Sequence, residues 1–226
     1  MAGLKNDNSS SVVDCSEDPP SLSIAPLKLS DLPKKRKCWS AGHLPVDILL
    51  LTVEDCEFLA CYCYLRDSFK SYEKSIGDVY FGKMGEEGDE SLRVALVRCL
   101  KGSSDPGGSQ TSAKNAITLL RPKATFLVGF CYSPSPEKAQ LGDVVISSML
   151  TTDCHQSPVG RYVGNLVRSA ADGWEAPLEN PEAGGVKVHC GGEILSCSDL
   201  TGAEQQCQLH PGAIAVELAG KGKNYY

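Results

Sequence analysis

Glu54, Asp55 and Glu57 close an apolar run over 46–53, and carboxylates set at the end of a buried strand can act as general acids or bases, or orient a water. The same acids would also complement the dipole of a helix beginning there, a purely electrostatic role. A second stretch, Gly102-Ser103-Ser104 followed by Asp105-Pro106-Gly107-Gly108-Ser109, lies between an apolar run and a helical pattern at 113–120. Free amides and hydroxyls at such a place could cradle an anion or a polar ligand. A plain connection is the other reading, and GxxxxGK[ST] is absent, so the loop is not a P-loop. The third stretch is 126–149, where an apolar β-rich run ends at Gly129 and Leu141-Gly142-Asp143 leads into a second β-branched run. Glycine at a strand's carboxyl end lets backbone approach a ligand closely, and ligands in open α/β sheets bind there. Gly129 also suits an ordinary turn.

Strands and helices must position these residues. The run 46–53 predicts a strand buried on both faces, and 58–72 predicts a helix. Runs at 79–84 and 92–99, separated by the acidic, glycine-containing 85–90, predict a β-hairpin. The helix at 113–120 stops at Arg121-Pro122-Lys123, and strands follow at 124–129 and 141–150. A helix is expected over 162–171, loop over 172–185, a short strand at 186–190 followed by a Gly191-Gly192 loop, and a last strand at 213–217.

With 226 residues, 42% of them hydrophobic, the chain is long enough for one substantial domain with its own core. Residues 1–44 are polar and aperiodic and read as a disordered arm; residues 45–226 read as the domain. Inside the arm, Pro33-Lys34-Lys35-Arg36-Lys37 resembles a nuclear-import signal, with a solvated charge cluster as the alternative. A net charge of −6 argues against a general nucleic-acid binder. No apolar stretch is long enough to cross a bilayer, and the polar start lacks a signal peptide's apolar core, so an intracellular, cytoplasmic location is expected. The cysteines, 11 in all, do not form a compact disulfide pattern and are expected as thiols; Cys56, Cys61 and Cys63 sit among apolar residues as small core side chains would.

Taken in order, ILLLTVEDCEF, the Gly-Ser-rich loop at 102–109, KATFLVGFC with LGDVVIS, and AIAVELAG resemble the purine-nucleoside phosphorylase and methylthioadenosine/adenosylhomocysteine nucleosidase superfamily over roughly 46–222. The resemblance implies a three-layer α/β/α fold around a twisted mixed sheet and cleavage of the N-glycosidic bond of a purine nucleoside. No metal or organic cofactor is implied, phosphate is an alternative acceptor to water, and a homo-oligomer is expected. Glu57 falls where nucleosidases carry an acid beside the nucleophilic water, and the Gly-Asp-Pro of many bacterial phosphorylases is missing from 52–57, which favours hydrolysis. Gly102, Ser103 and Ser104 match the segment approaching ribose or phosphate, Gly129, Phe130 and Cys131 the floor beneath the nucleoside, and Glu217 and Leu218 the strand end against base and sugar.

Several departures from the family pattern imply impairment. Tyr132-Ser133 stands where many relatives have Gly-Gly, placing a ring where backbone should meet ligand. Glu217-Leu218-Ala219 replaces Glu-Met-Glu, removing the acceptor for the ribose hydroxyls; such a loss costs about 1.5–3 kcal/mol. Relatives continue with a strand, a Ser-Asp segment and a closing helix, and that Asp protonates the departing purine, a contribution of about a hundredfold in rate. This chain stops at Tyr226, so a fold without the last strand and helix is expected, its open edge covered by a partner. Asp143 and Glu193 are the nearest substitute acids in sequence. Three functions follow: a nucleosidase with an acid from elsewhere, a weak or inactive nucleoside-binding module, or a structural domain.

Overall fold

The apolar run Ile48-Leu49-Leu50-Leu51 becomes β1 (Ile48–Thr52), with both of its faces covered. Leu49 and Leu51 pack on one side with Ala116 and Leu120 of α2 (Ser109–Leu120), while Leu50 packs on the other with Phe58 and Cys61 of α1 (Asp55–Tyr62). Alternate side chains along a strand point to opposite faces, so a continuous apolar run requires a helix on each side. The computed structural model describes residues 21–85, 91–100, 108–152, 155–181, 185–197 and 200–218.

β1 belongs to a five-stranded mixed sheet with β2 (Arg66–Glu73), β3 (Gly77–Met84), β4 (Leu92–Arg98) and β5 (Ala124–Leu127), in the order β2-β3-β4-β1-β5. The expected hairpin is the antiparallel β3–β4 pair, and β1 lies parallel to both β4 and β5. The expected helix over 58–72 is corrected: α1 ends at Tyr62, a turn follows at 63–65, and β2 takes the stretch from Arg66. Phe58, Leu59, Tyr62 and Leu65 do follow a helical period, but pairing with β3 wins beyond them. Asp67, at φ 51, marks the bulge where β2 enters its register, and Phe69 stacks on Phe81 at 5.3 Å.

A second mixed sheet has the order β7-β6-β8-β9, built from β6 (Val144–Thr152), β7 (His155–Pro158), β8 (Val188–Ser196) and β9 (Ala213–Glu217). α3 (Arg161–Arg168) touches β6 and β8, and α4 (Leu200–Leu209) lies against β8. The expectation for 186–196 is corrected, because β8 continues through Gly191-Gly192 to Ser196. A Cβ on Gly192 would stand 2.4 Å from Ile214 Cδ1, so glycine is what allows β8 and β9 to approach, not a sign of a loop. α4 was hidden for a related reason: its short apolar side, with Ala203 and Cys207, is meaningful only against Leu195, Ala213 and Val216. The expected α/β class is the one observed.

Residues 21–44, read from composition as an arm, carry contacts that composition does not announce. Ser23 donates to the Pro177 carbonyl at 3.0 Å and Glu179 to that of Ser21 at 3.0 Å, while Trp39 stacks on Phe81 at 5.7 Å. No helix among the described residues is long and apolar enough to cross a membrane.

Candidate site at the strand carboxyl ends

The carboxyl ends of β1, β5, β8 and β9 are drawn together by the segment that follows β5. Val128 donates to Leu51 at 2.8 Å, continuing the β5–β1 pairing. Four residues later, Tyr132 exchanges two backbone hydrogen bonds with Val216 of β9, at 2.8 and 2.7 Å. The segment between them crosses from one sheet to the other, and Gly129, Phe130 and Cys131 lie on it.

Glu57 anchors one end of this crossing. It occupies the third position of α1, and its Oε2 accepts from the amides of Val53 and Glu54, each at 2.9 Å. Reaching back to the cap residue's amide is half of a capping box, which explains an acid here on local grounds. Its Oε1, however, accepts from the Phe130 amide at 3.3 Å across a long sequence separation. A Cβ on Gly129 would stand 3.0 Å from that same oxygen, so glycine makes room for the carboxylate. Glu57 is only 8% exposed. A carboxylate offers about four lone-pair positions; three are taken here by Val53, Glu54 and Phe130, leaving one for a water or a hydroxyl.

Glu217 anchors the other end. It closes β9, and its Oε2 accepts from the Ser196 hydroxyl at 3.1 Å, across a pair set by the β8–β9 register. Burial first, and then the charge of Glu217, push the Cys131 thiol up from its ordinary range, so Cys131 stands beside this carboxylate as a thiol. The expected residues Glu57, Gly129, Phe130, Cys131 and Glu217 thus lie along one crossing, with the Phe130 amide bonded to Glu57 at one end and Tyr132 paired with Val216, the neighbour of Glu217, at the other. Phe130, at 54% exposure, offers its ring outward. Gly102, Ser103 and Ser104 lie outside the described residues, as does Ala219.

Leu218 packs against the apolar cluster of the second sheet and reaches a groove of about 410 Å³. Tyr132 and Pro134 form one wall of the groove, Glu204, Cys207 and Gln208 of α4 the other, and Val216 and Leu218 the floor. The Tyr132 ring therefore borders open space, and its backbone is pinned to β9. Ser196 and α4 were missed by sequence reasoning because the stretch holding them read as loop; the alternation Glu193, Leu195 and Cys197 was the available signal.

Two further groups lie near the end of β1. Arg98, which closes β4, pairs with Asp55 at the start of α1. Thr52 is fully buried, and its hydroxyl has no hydrogen-bond partner among the described residues.

The substitute acids lie elsewhere. Asp143 precedes β6, at the end of the second sheet opposite to Ser196 and Glu217. Burial alone would raise its pKa, but the Gln140 amide, His189 and the Lys187 amide outweigh burial and hold it at about 2. A carboxyl so held has no proton to give at neutral pH. Glu193 sits within β8, accepts from Thr151 at 2.6 Å and pairs with His210 at 3.1 Å.

No family model and no curated protein matches the chain. Solved structures do match its fold. A 5'-methylthioadenosine/S-adenosylhomocysteine nucleosidase from Neisseria meningitidis, in complex with methylthio-immucillin-A, aligns with a TM-score of 0.58 and 13% identity, over 76% of this chain and 75% of that one. The nucleosidase of Colwellia psychrerythraea, in complex with adenine, gives 0.58 and 12%, over 77% and 73%. That of Streptococcus pneumoniae, in complex with 8-aminoadenine, gives 0.56 and 15%, over 77% and 76%. The chain shares the fold of these nucleosidases.

Proposed function

We propose, from this shared fold, that the chain binds a purine nucleoside at the carboxyl ends of β1, β5, β8 and β9 and cleaves its N-glycosidic bond weakly. The observation carrying this reading is the row from Glu57 through Gly129, Phe130 and Cys131 to Glu217. Glu57 keeps one acceptor position to orient a water, the exposed Phe130 ring offers a stacking surface, and Glu217, steadied by Ser196, stands at the strand end against which base and sugar would pack. Water is the favoured acceptor, and phosphate the alternative. Weak cleavage follows from Asp143, which cannot protonate a leaving base, and from Glu193, which is occupied by Thr151 and His210.

A non-catalytic nucleoside-binding or structural module is the second reading. It is favoured by one observation: the Glu57 carboxylate already serves three backbone amides that hold β1, α1 and the crossing segment together. The deciding experiment measures adenine release from methylthioadenosine and adenosylhomocysteine, with and without phosphate, alongside equilibrium binding of both. Slow phosphate-independent release supports the first reading. Binding without release moves the assignment to the second, and absence of both from a folded chain leaves a structural role.

A further inference from the structure

The basic run Lys34-Lys35-Arg36-Lys37 lies along the outer edge of β2. The Lys37 amide donates to the Lys70 carbonyl at 2.8 Å, and Arg36 and Lys70 form a parallel bridge. The Arg36 guanidinium meets Asp78 Oδ1 through Nη2 at 2.8 Å and Nε at 3.0 Å, and its carbon stands 4.4 Å from the centre of the Tyr72 ring. Asp78 also binds Lys70 at 2.7 Å, so one carboxylate holds both cations. On either side of the run, Leu32 packs against one apolar cluster of the first sheet, and Trp39 against the other. Lys34, Lys35 and Lys37 remain exposed.

We infer that this run is a reserve docking segment for a protein partner whose acidic groove takes basic chain in extended form, and that the β2 edge withholds it until residues 33–38 detach. The two states exclude each other. A groove enclosing an extended basic peptide needs the backbone groups of the run and the cationic face of every side chain. The Lys37 amide is already paired to Lys70, and the Arg36 fork is already used on Asp78 and Tyr72. Arginine at this position fits the clamp because its planar guanidinium sets two N–H groups on the Asp78 carboxylate while stacking on the Tyr72 ring, a two-point grip that a lysine's single ammonium does not reproduce. Exposed pairs of this kind are modest in strength, so between the packed Leu32 and Trp39 the run is held by weak ties that a stronger partner can displace. The net charge of −6 disfavours nucleic acid as that partner.

The test uses the full chain. Arg36→Lys removes the fork and the stacking while preserving the charge of the run; Asp78→Asn releases the clamp from the other side and keeps the run intact. Folding is checked by circular dichroism, and Arg36→Lys lies on an exposed segment outside the core. Trypsin cleavage within 34–37 and binding of a fluorescent deca-glutamate peptide are then measured. Both variants are expected to be cut about tenfold faster than the parent, since cleavage follows the population of the open form. They should also bind the peptide about tenfold more tightly, and Arg36→Lys combined with Lys34→Ala and Lys35→Ala should lose that gain. Equal cutting and binding by the parent chain would overturn the withheld state. Preference of Arg36→Lys for a ten-residue oligothymidylate over the peptide would overturn the partner class, as would faster cutting with no gain in peptide binding.

Discussion

The two sheets begin alike and are held together differently. Each first parallel strand is preceded by an aspartate that binds its neighbours. Asp47, before β1, accepts from the Arg93 amide at 2.8 Å and pairs with Lys123 at 2.8 Å. Asp143, before β6, accepts from the Lys187 amide at 2.9 Å and pairs with His189 at 2.8 Å. Beyond that point the first sheet relies on apolar packing, with β1 and β4 buried along most of their lengths between α1 and α2. The second relies on polar ties. β6 is mostly half-buried, Ser147 and Ser148 donate to the carbonyls of Gly192 and Gly191, and Lys138 donates to those of Pro211 and Ala213. Packing energy scales with buried area, whereas hydrogen bonds contribute little net stability but are costly to leave unmade. The first half therefore gives rigidity, and the second gives a more adjustable wall to the candidate site.

The sharpest way to break this contrast is to truncate one buried leucine in each half. Leu49→Ala should lower the unfolding free energy by about 3–5 kcal/mol, while Leu195→Ala, on a half-covered strand, should lower it by about 2–3 kcal/mol. Urea unfolding with equal losses would erase the distinction. At the seam, Glu57→Ala leaves the amides of Val53, Glu54 and Phe130 without their acceptor and should cost about 3 kcal/mol. Hydrogen exchange should rise at those amides; unchanged protection at Phe130 would mean that the crossing segment is held by Tyr132 alone.

Acid should reach the second half through Asp143. Its folded pKa lies at about 2, below the unfolded value of 3.8, so its contribution is present above pH 4 and is lost as pH falls toward 2. The loss from this group is about 2 kcal/mol. Asp143→Asn should weaken the fold at neutral pH and flatten that acid limb; an unaltered limb would assign acid sensitivity to Asp47, whose pKa is also lowered, on the first sheet. The smallest effect concerns Arg121, which caps α2 in the left-handed conformation at φ 48. Arg121→Gly should raise the melting temperature, with a gain of about 0.5–1 kcal/mol. No gain would show that residue's strain to be compensated by its surroundings.

Much of this architecture could be read from residue order, and the failures cluster where one element depends on another. β1, the β3–β4 hairpin and β9 are apolar runs bounded by clear breakers, so local pattern and final burial agree. β2, α4 and the second part of β8 could not be read in that way. The stretch forming β2 fits a helical period until Phe81 and the rest of β3 offer it a partner. Gly191-Gly192 reads as a turn until Ile214 shows why no side chain fits at Gly192. The candidate site divides similarly. Glu57, Gly129, Phe130, Cys131 and Glu217 were singled out by sequence, but the engagement of Glu57 by three amides and the role of Ser196 were not.

The sequence by itself determined the class of the fold, the positions of its most buried strands and the identity of most residues at the strand ends. The strand positions follow from side-chain polarity and short-range spacing, which are local, whereas the fold class and the strand-end residues were implied by the resemblance of whole segments taken in order. Tertiary structure alone decided that 21–44 lies against both halves, that the strands divide into two sheets, and that Tyr132 pins the crossing segment to Val216. It also decided which acids are free to act. Whether a carboxylate serves chemistry or structure depends in part on groups brought to it from distant positions, as the Phe130 amide is to Glu57, and no spacing along the chain encodes those.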